Sequence, residues 1–163
     1  MSPADTFALY GTRNLLLDTN LLVLLAVGHY RRDQIPNFKR TKNFSADDYA
    51  WVAELVDESS RCITTPHILA EVDNLTRQLP EREHEAVAIV LASLVAQHFE
   101  LYRPSKDAVL HPRYSHLGLS DCGLLLAAGS EDMLVVTDDF ALSNILARLG
   151  HSVVNFNHVR RVH

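Results

Sequence analysis

Residues 14–28 read NLLLDTNLLVLLAVG, an apolar run interrupted by one aspartate, Asp18. The first part, NLLLD, is too short for a helix and ends on a polar turn. The part behind it, TNLLVLLAVG, has helix length, with Gly28 as the expected stop. The stretch therefore reads as a strand, a turn that carries Asp18, and a helix. A carboxylate set in such a run costs several kcal/mol to remove from water unless it is hydrogen-bonded, paired or bound to a metal.

Outward from this stretch the same unit recurs. RCITTP (61–66) is a second strand, with Thr65 placed to cap and Pro66 to begin the helix HILAEVDNLTRQL. MLVVT (133–137) is a third, followed by the helix DFALSNILARLG ending on Gly150, and SVVNF (152–156) is the last. Between the second and third strands lie a helix, EREHEAVAIVLASLVAQHF, a short strand, ELYR (100–103), a loop, PSKDAVLHPRYSHLGL (104–119), and a helix, SDCGLLLAAGS. All-apolar strands that alternate with helices indicate class α/β, with a parallel sheet covered on both faces.

A length of 163 residues suits a single domain, 1–163, and an apolar fraction of 47% with 21% charged residues argues against disorder. The N-terminus lacks the pattern of a signal peptide, and the longest apolar runs, Leu21 to Val27 and Ala86 to Ala96, fall short of the roughly 20 residues that span a bilayer. Two isolated cysteines, Cys62 and Cys122, make neither a disulfide framework nor a zinc site. The expectation is a cytoplasmic protein without membrane contact.

A net charge of −5 gives no whole-protein attraction to nucleic acid, so polyanion binding would need a local patch or metal ions. One patch stands out. HYRRDQIPNFKRTKNF, His29 to Phe44, holds Arg31, Arg32, Lys39, Arg40 and Lys42 against the single acid Asp33. With Pro36 and no clear period it reads as a loop or irregular excursion, a basic insertion and candidate phosphate-backbone contact, ahead of the helix SADDYAWVAELVDESS with Ser45 and Asp48 as a capping pair. Arg113 and Tyr114, in the later loop, could add a phosphate contact and a stacking ring.

In an open parallel sheet, ligands bind beyond the carboxyl ends of the strands. Asp18 ends the first strand, Asp138 and Asp139 follow MLVVT, Asp121 opens a helix whose loop returns to that edge, and Glu71 lies early in the helix after RCITTP. Carboxylates gathered without cations repel one another, and an all-oxygen donor set selects Mg2+ or Mn2+ over zinc. The plainer alternatives are helix caps for Asp18 and Asp121, with Ser120 as a rival cap, and a solvated helix position for Glu71.

Four segments in order, LLLDTN with Asp18, ILAEVDNL with Glu71, LSDCGLLLAA with Asp121 and VVTDDFAL with Asp139, resemble the four motifs of PIN-domain nucleases. The resemblance implies an α/β/α sandwich and Mg2+- or Mn2+-dependent hydrolysis of phosphodiester bonds in RNA. Asp18, Glu71, Asp121 and Asp139 would hold the metal, while Asn20 and Thr137 match supporting polar positions. Asp138, beside Asp139, is the other candidate for the fourth acid. The likeness extends to the small VapC-type toxins, which implies an antitoxin protein and a homodimer as partners, although the insertion at 29–44 leaves a stand-alone processing nuclease open. A haloacid-dehalogenase-like phosphatase is the rival enzyme, but that family has a second Asp where Asn20 stands, and it gives Glu71 and Asp121 no task. A PIN module that only binds RNA or protein is the third reading.

Overall fold

A computed structural model describes residues 1–160. Its sheet has five parallel strands: β1 (Asn14–Leu17), β2 (Arg61–Thr64), β3 (Phe99–Glu100), β4 (Leu134–Thr137) and β5 (Val153–Asn155), in the order β3-β2-β1-β4-β5. The helices are α1 (Pro3–Tyr10), α2 (Thr19–Tyr30), α3 (Ala46–Glu58), α4 (Pro66–Thr76), α5 (Glu81–Gln97), α6 (Ser105–Val109), α7 (Tyr114–Ala128), α8 (Phe140–Arg148) and α9 (Phe156–Val159). From β1 the chain steps outward to β2 and β3, then returns past β1 to β4 and β5. Right-handed crossovers, the rule for parallel strands, put α2 to α5 on one face and α6 to α8 on the other. The result is the three-layer α/β/α sandwich expected from the alternation of strands and helices.

Because the strand order reverses between β1 and β4, the turns leaving these two neighbours diverge to opposite faces and leave a crevice at their carboxyl ends. The Asp18 amide donates to the Val136 carbonyl at 3.1 Å, so the β1–β4 ladder runs right up to that edge. Behind the crevice, α2 is enclosed on every side: Leu21 to Gly28 are all buried, against α3, α4, α5 and a 3-10 helix at Arg32–Asn37. Its large aliphatic side chains contribute roughly 1.5–3 kcal/mol each by leaving water, which explains a helix with no polar face.

Expected caps are in place. Thr65 accepts from the Ile68 amide at 3.3 Å with Pro66 in the first turn, and Ser45 and Asp48 form a reciprocal capping box at 3.1 and 2.8 Å. Helix α5 shows a core stripe of Val87, Leu91 and Leu94, while Ile89 faces outward. Cys62 and Cys122 are free thiols. Among the described residues no helix is long and apolar enough to cross a membrane.

Several expectations need correction. Gly28 does not stop α2, which runs on to Tyr30; its role is close packing, since a Cβ there would lie 2.2 Å from Cδ2 of Tyr49. The basic stretch is not a loop throughout. His29 and Tyr30 finish α2, the 3-10 helix follows, and Ile35, Phe38, Thr41 and Phe44 are buried, with the Thr41 hydroxyl donating to the Ile35 carbonyl at 2.7 Å. The loop at 104–119 contains α6 and the first turn of α7, whose path breaks at Gly118 with φ at +82°. The third strand covers Phe99–Glu100 instead of 100–103. The N-terminal segment folds as α1, started by a Ser2–Asp5 capping box.

Replacing Gly28 by Ala should test the α2–α3 contact. The added methyl has to displace the buried Tyr49 ring, and overpacking of this kind costs about 1–3 kcal/mol. A urea titration should show a lower midpoint with an unchanged m-value.

Candidate metal centre

Asp18 sits at the junction of β1 and α2 and is only 4% exposed. Its Oδ1 accepts the Leu21 amide at 2.9 Å, so it does cap α2. Its Oδ2 accepts the Asp138 amide at 3.0 Å and the Thr137 hydroxyl. The cap and the rim position are one arrangement: the strand ends, the backbone turns, and the side chain that closes the helix also reaches the end of β4.

The end of β4 separates the two neighbouring acids. Thr137, fully buried, donates to Asp18 and accepts the Asp139 amide at 3.0 Å. Asp139 caps α8, its Oδ1 accepting the Ala141 and Leu142 amides at 2.6 and 3.0 Å, and its side chain lines the crevice. Asp138 points its Oδ1 at the Asn20 side-chain amide, 3.0 Å away, while Asn157 donates to its backbone carbonyl at 2.7 Å. Of the two, Asp139 borders the cleft and Asp138 pairs with Asn20.

Glu71 and Asp121 come from helices on opposite faces of the sheet, α4 and α7, which meet over the rim. Thr19 joins them. Its Oγ1 donates to Oε2 of Glu71 at 3.2 Å and lies 3.2 Å from the Ser120 hydroxyl, next to Asp121 in the chain. Sequence reasoning passed over Thr19 and took Ser120 only as a cap. Their positions directly after and directly before two of the acids were the available signal. Asp121 does not open a helix as expected; it stands inside α7, three residues beyond the break at Gly118.

The result is a cleft of about 120 Å3 lined by Asp18, Thr19, Asn20, Glu71, Asp121 and Asp139. Larger hollows exist, such as one of about 340 Å3 beside Trp51, but none of the acids just described lines that one. No lysine or arginine is among the cleft's lining residues, and none of the ion pairs of the described residues involves its acids.

Two of the acids carry the cost of this setting. Burial, then the charge of Asp138, push the Asp18 carboxyl well above the usual range, against three hydrogen bonds that pull it down. Asp121 is pushed up to about 7, by burial first and then by the charges of Asp139, Glu71 and Asp138. Among the described residues no three acid, histidine or cysteine side chains close on one point as a metal cage does. The carboxylates instead surround the cleft, with Asp18 and Asp139 each giving an oxygen to a helix cap. Carboxylate, hydroxyl and amide oxygens without a cation form a donor set that suits a hard divalent ion.

The basic candidates lie outside this cleft. Arg31 and Arg32 stand beyond the far end of α2, about 20 Å along its axis from Asp18. Arg31 pairs with Asp33 and Arg32 lies over the Tyr49 ring, 5.2 Å from its centroid. Arg40 donates at 3.0 Å to Gln78, just beyond the end of α4 that lies away from its N-terminus at the rim, and Lys39 and Lys42 are exposed. Arg113 borders a hollow with Arg148 and Leu149 at the other end of α8, about 13 Å along that helix from Asp139.

The raised Asp121 gives a pH test in EDTA. A carboxyl that prefers its neutral form when folded contributes fully below its unfolded value, near pH 4, and that contribution is lost as pH rises through about 7. Asp121→Asn should therefore raise the melting temperature at pH 8 by about 5 °C, with the gap closing toward pH 4. Thermal scans across that range check it.

Neither a family model nor a curated protein matches the chain.

Proposed function

We propose that the chain is a Mg2+- or Mn2+-dependent ribonuclease that hydrolyses phosphodiester bonds of RNA, a PIN-like nuclease. The observation that carries this reading is the uncompensated acidic cleft: Asp18, Glu71, Asp121 and Asp139, from four separate segments, at the point where the strand order reverses. Asp18, Glu71, Asp121 and Asp139 would hold the ion. When bound, it neutralises the acids, lowers the pKa of a water and stabilises charge on the phosphate.

The chain's own residues supply position. Thr137 and the Asp138 amide fix the Asp18 carboxylate, Thr19 holds Glu71, and the α8 amides hold Asp139. Asn20 ties Asp138 back, which keeps the second β4 acid turned toward α2. No histidine lines the cleft, so proton transfer from water falls to the carboxylates or to solvent.

An RNA-cleavage assay with Mg2+, Mn2+ and EDTA, comparing the parent with Asp18→Asn, tests the proposal. Cleavage should require the metal and should fall by about 100-fold or more in Asp18→Asn with an unchanged circular dichroism spectrum. Equal cutting by the two proteins would sink it, and turnover of a phosphate monoester alone would favour the phosphatase. Arg31, Arg32, Lys39, Arg40 and Lys42 are proposed to hold the RNA backbone away from the reacting bond. Replacing Lys39, Arg40 and Lys42 together by Ala should raise KM several-fold, flatten its salt dependence and leave kcat unchanged.

A further inference from the structure

We infer that Gly123 is a positioning residue: by leaving room for the His67 ring it lets α4 lie close enough to α7 for Glu71 and Asp121 to share one cleft. The inference rests on the reading of that cleft as a metal-binding active site.

Two rungs join α4 to α7. On α4, His67 and Glu71 are four residues apart and share a face; on α7, Ser120 and Gly123 are three apart and do likewise. One rung is the hydroxyl link, Glu71 to Thr19 to Ser120, each step 3.2 Å. The other is steric. A Cβ on residue 123 would stand 2.6 Å from Nδ1 of His67 and 3.3 Å from its Cγ. Turning the ring about its own bond moves Nδ1 but leaves Cγ at a tight 3.3 Å.

The ring is also held on its other side. Its Nε2 lies 2.9 Å from the Ser105 hydroxyl at the start of α6, and its Nδ1 is sealed from water without a hydrogen-bond partner. A sealed, unpaired ring nitrogen is a cost that this contact bears, so His67 is seated by the shape of α7 and not by a bond on that side. Relieving the 2.6 Å approach to an ordinary contact of about 3.5 Å loads the His67 side chain and, through it, α4, which carries Glu71. Asp121, two residues from Gly123, stays with α7. The separation of the two acids is thus set by the absence of a methyl group.

The test compares the parent, Gly123→Ala, the double variant Gly123→Ala with His67→Ala, and Asp18→Asn. Mn2+ alone is titrated by calorimetry, RNA cleavage gives kcat and KM, and circular dichroism reports the fold. Gly123→Ala should bind Mn2+ about 10-fold more weakly. Its kcat should fall by about 100-fold, the scale of a 1 Å misplacement, with KM for RNA unchanged. The double variant, which removes the ring the methyl would strike, should recover both to within a few-fold of the parent. The inference is overturned if Gly123→Ala matches the parent, or if the double variant recovers neither affinity nor turnover, whether folded or not. A parent that neither binds Mn2+ nor cuts RNA would overturn the active-site reading itself and this inference with it, whereas an active parent beside an equally active Gly123→Ala removes the inference alone.

Discussion

The buried carboxylate of Asp18 is satisfied by three donors that meet only in the folded chain: the Leu21 amide in the first turn of α2, and the Thr137 hydroxyl and Asp138 amide at the end of β4. Removing an ionised group from water is costly, and losing any partner leaves part of that cost uncompensated. The pairing of β1 with β4 is therefore more than a step in sheet order. It brings Thr137 and Asp138 to within reach of a carboxylate 119 and 120 residues away in the chain.

Much of the rest follows from holding that junction rigid. Strand β1 is central and fully paired, and α2 behind it is buried on every side, so Asp18 stands on a pedestal with no freedom to retreat. The 3-10 helix packs on that pedestal, and Phe38, Thr41 and Phe44 after it are buried, so the basic stretch pairs a structural inner side with an exposed charged outer side. At the open end, like charges gather in a small cleft, and burial first, then the neighbouring acids, displace the Asp121 and Asp18 carboxyls upward. Proteins tolerate such frustration where it serves a ligand, which is the physical ground for the proposed metal-dependent chemistry.

Legibility in the sequence tracked the range of the forces involved. The strand-then-helix units at 14–28, 61–79 and 133–150 were readable because their apolar runs, caps and punctuating Pro and Gly are local. The caps at Thr65 and Ser45, and the rim positions of Asp18 and Asp139, were readable for the same reason. Gly28 was misread because a glycine near a helix end is ordinarily a stop, whereas here it meets Tyr49, 21 positions away in the sequence. The helices in 104–119 were missed because a five-residue helix and a turn broken at Gly118 have too little period to detect.

By itself the sequence determined the α/β class, the parallel sheet and the segments that carry the acids, since apolar periodicity, caps and the carboxyl-edge rule all act within one strand–helix unit. It could not decide between Asp138 and Asp139 at the cleft, or place Thr19 between Glu71 and Ser120, or show that the basic residues lie away from the cleft. Those outcomes depend on side-chain directions at a junction of four segments and on the close approach of α4 to α7, and both are set by packing between residues far apart in the chain.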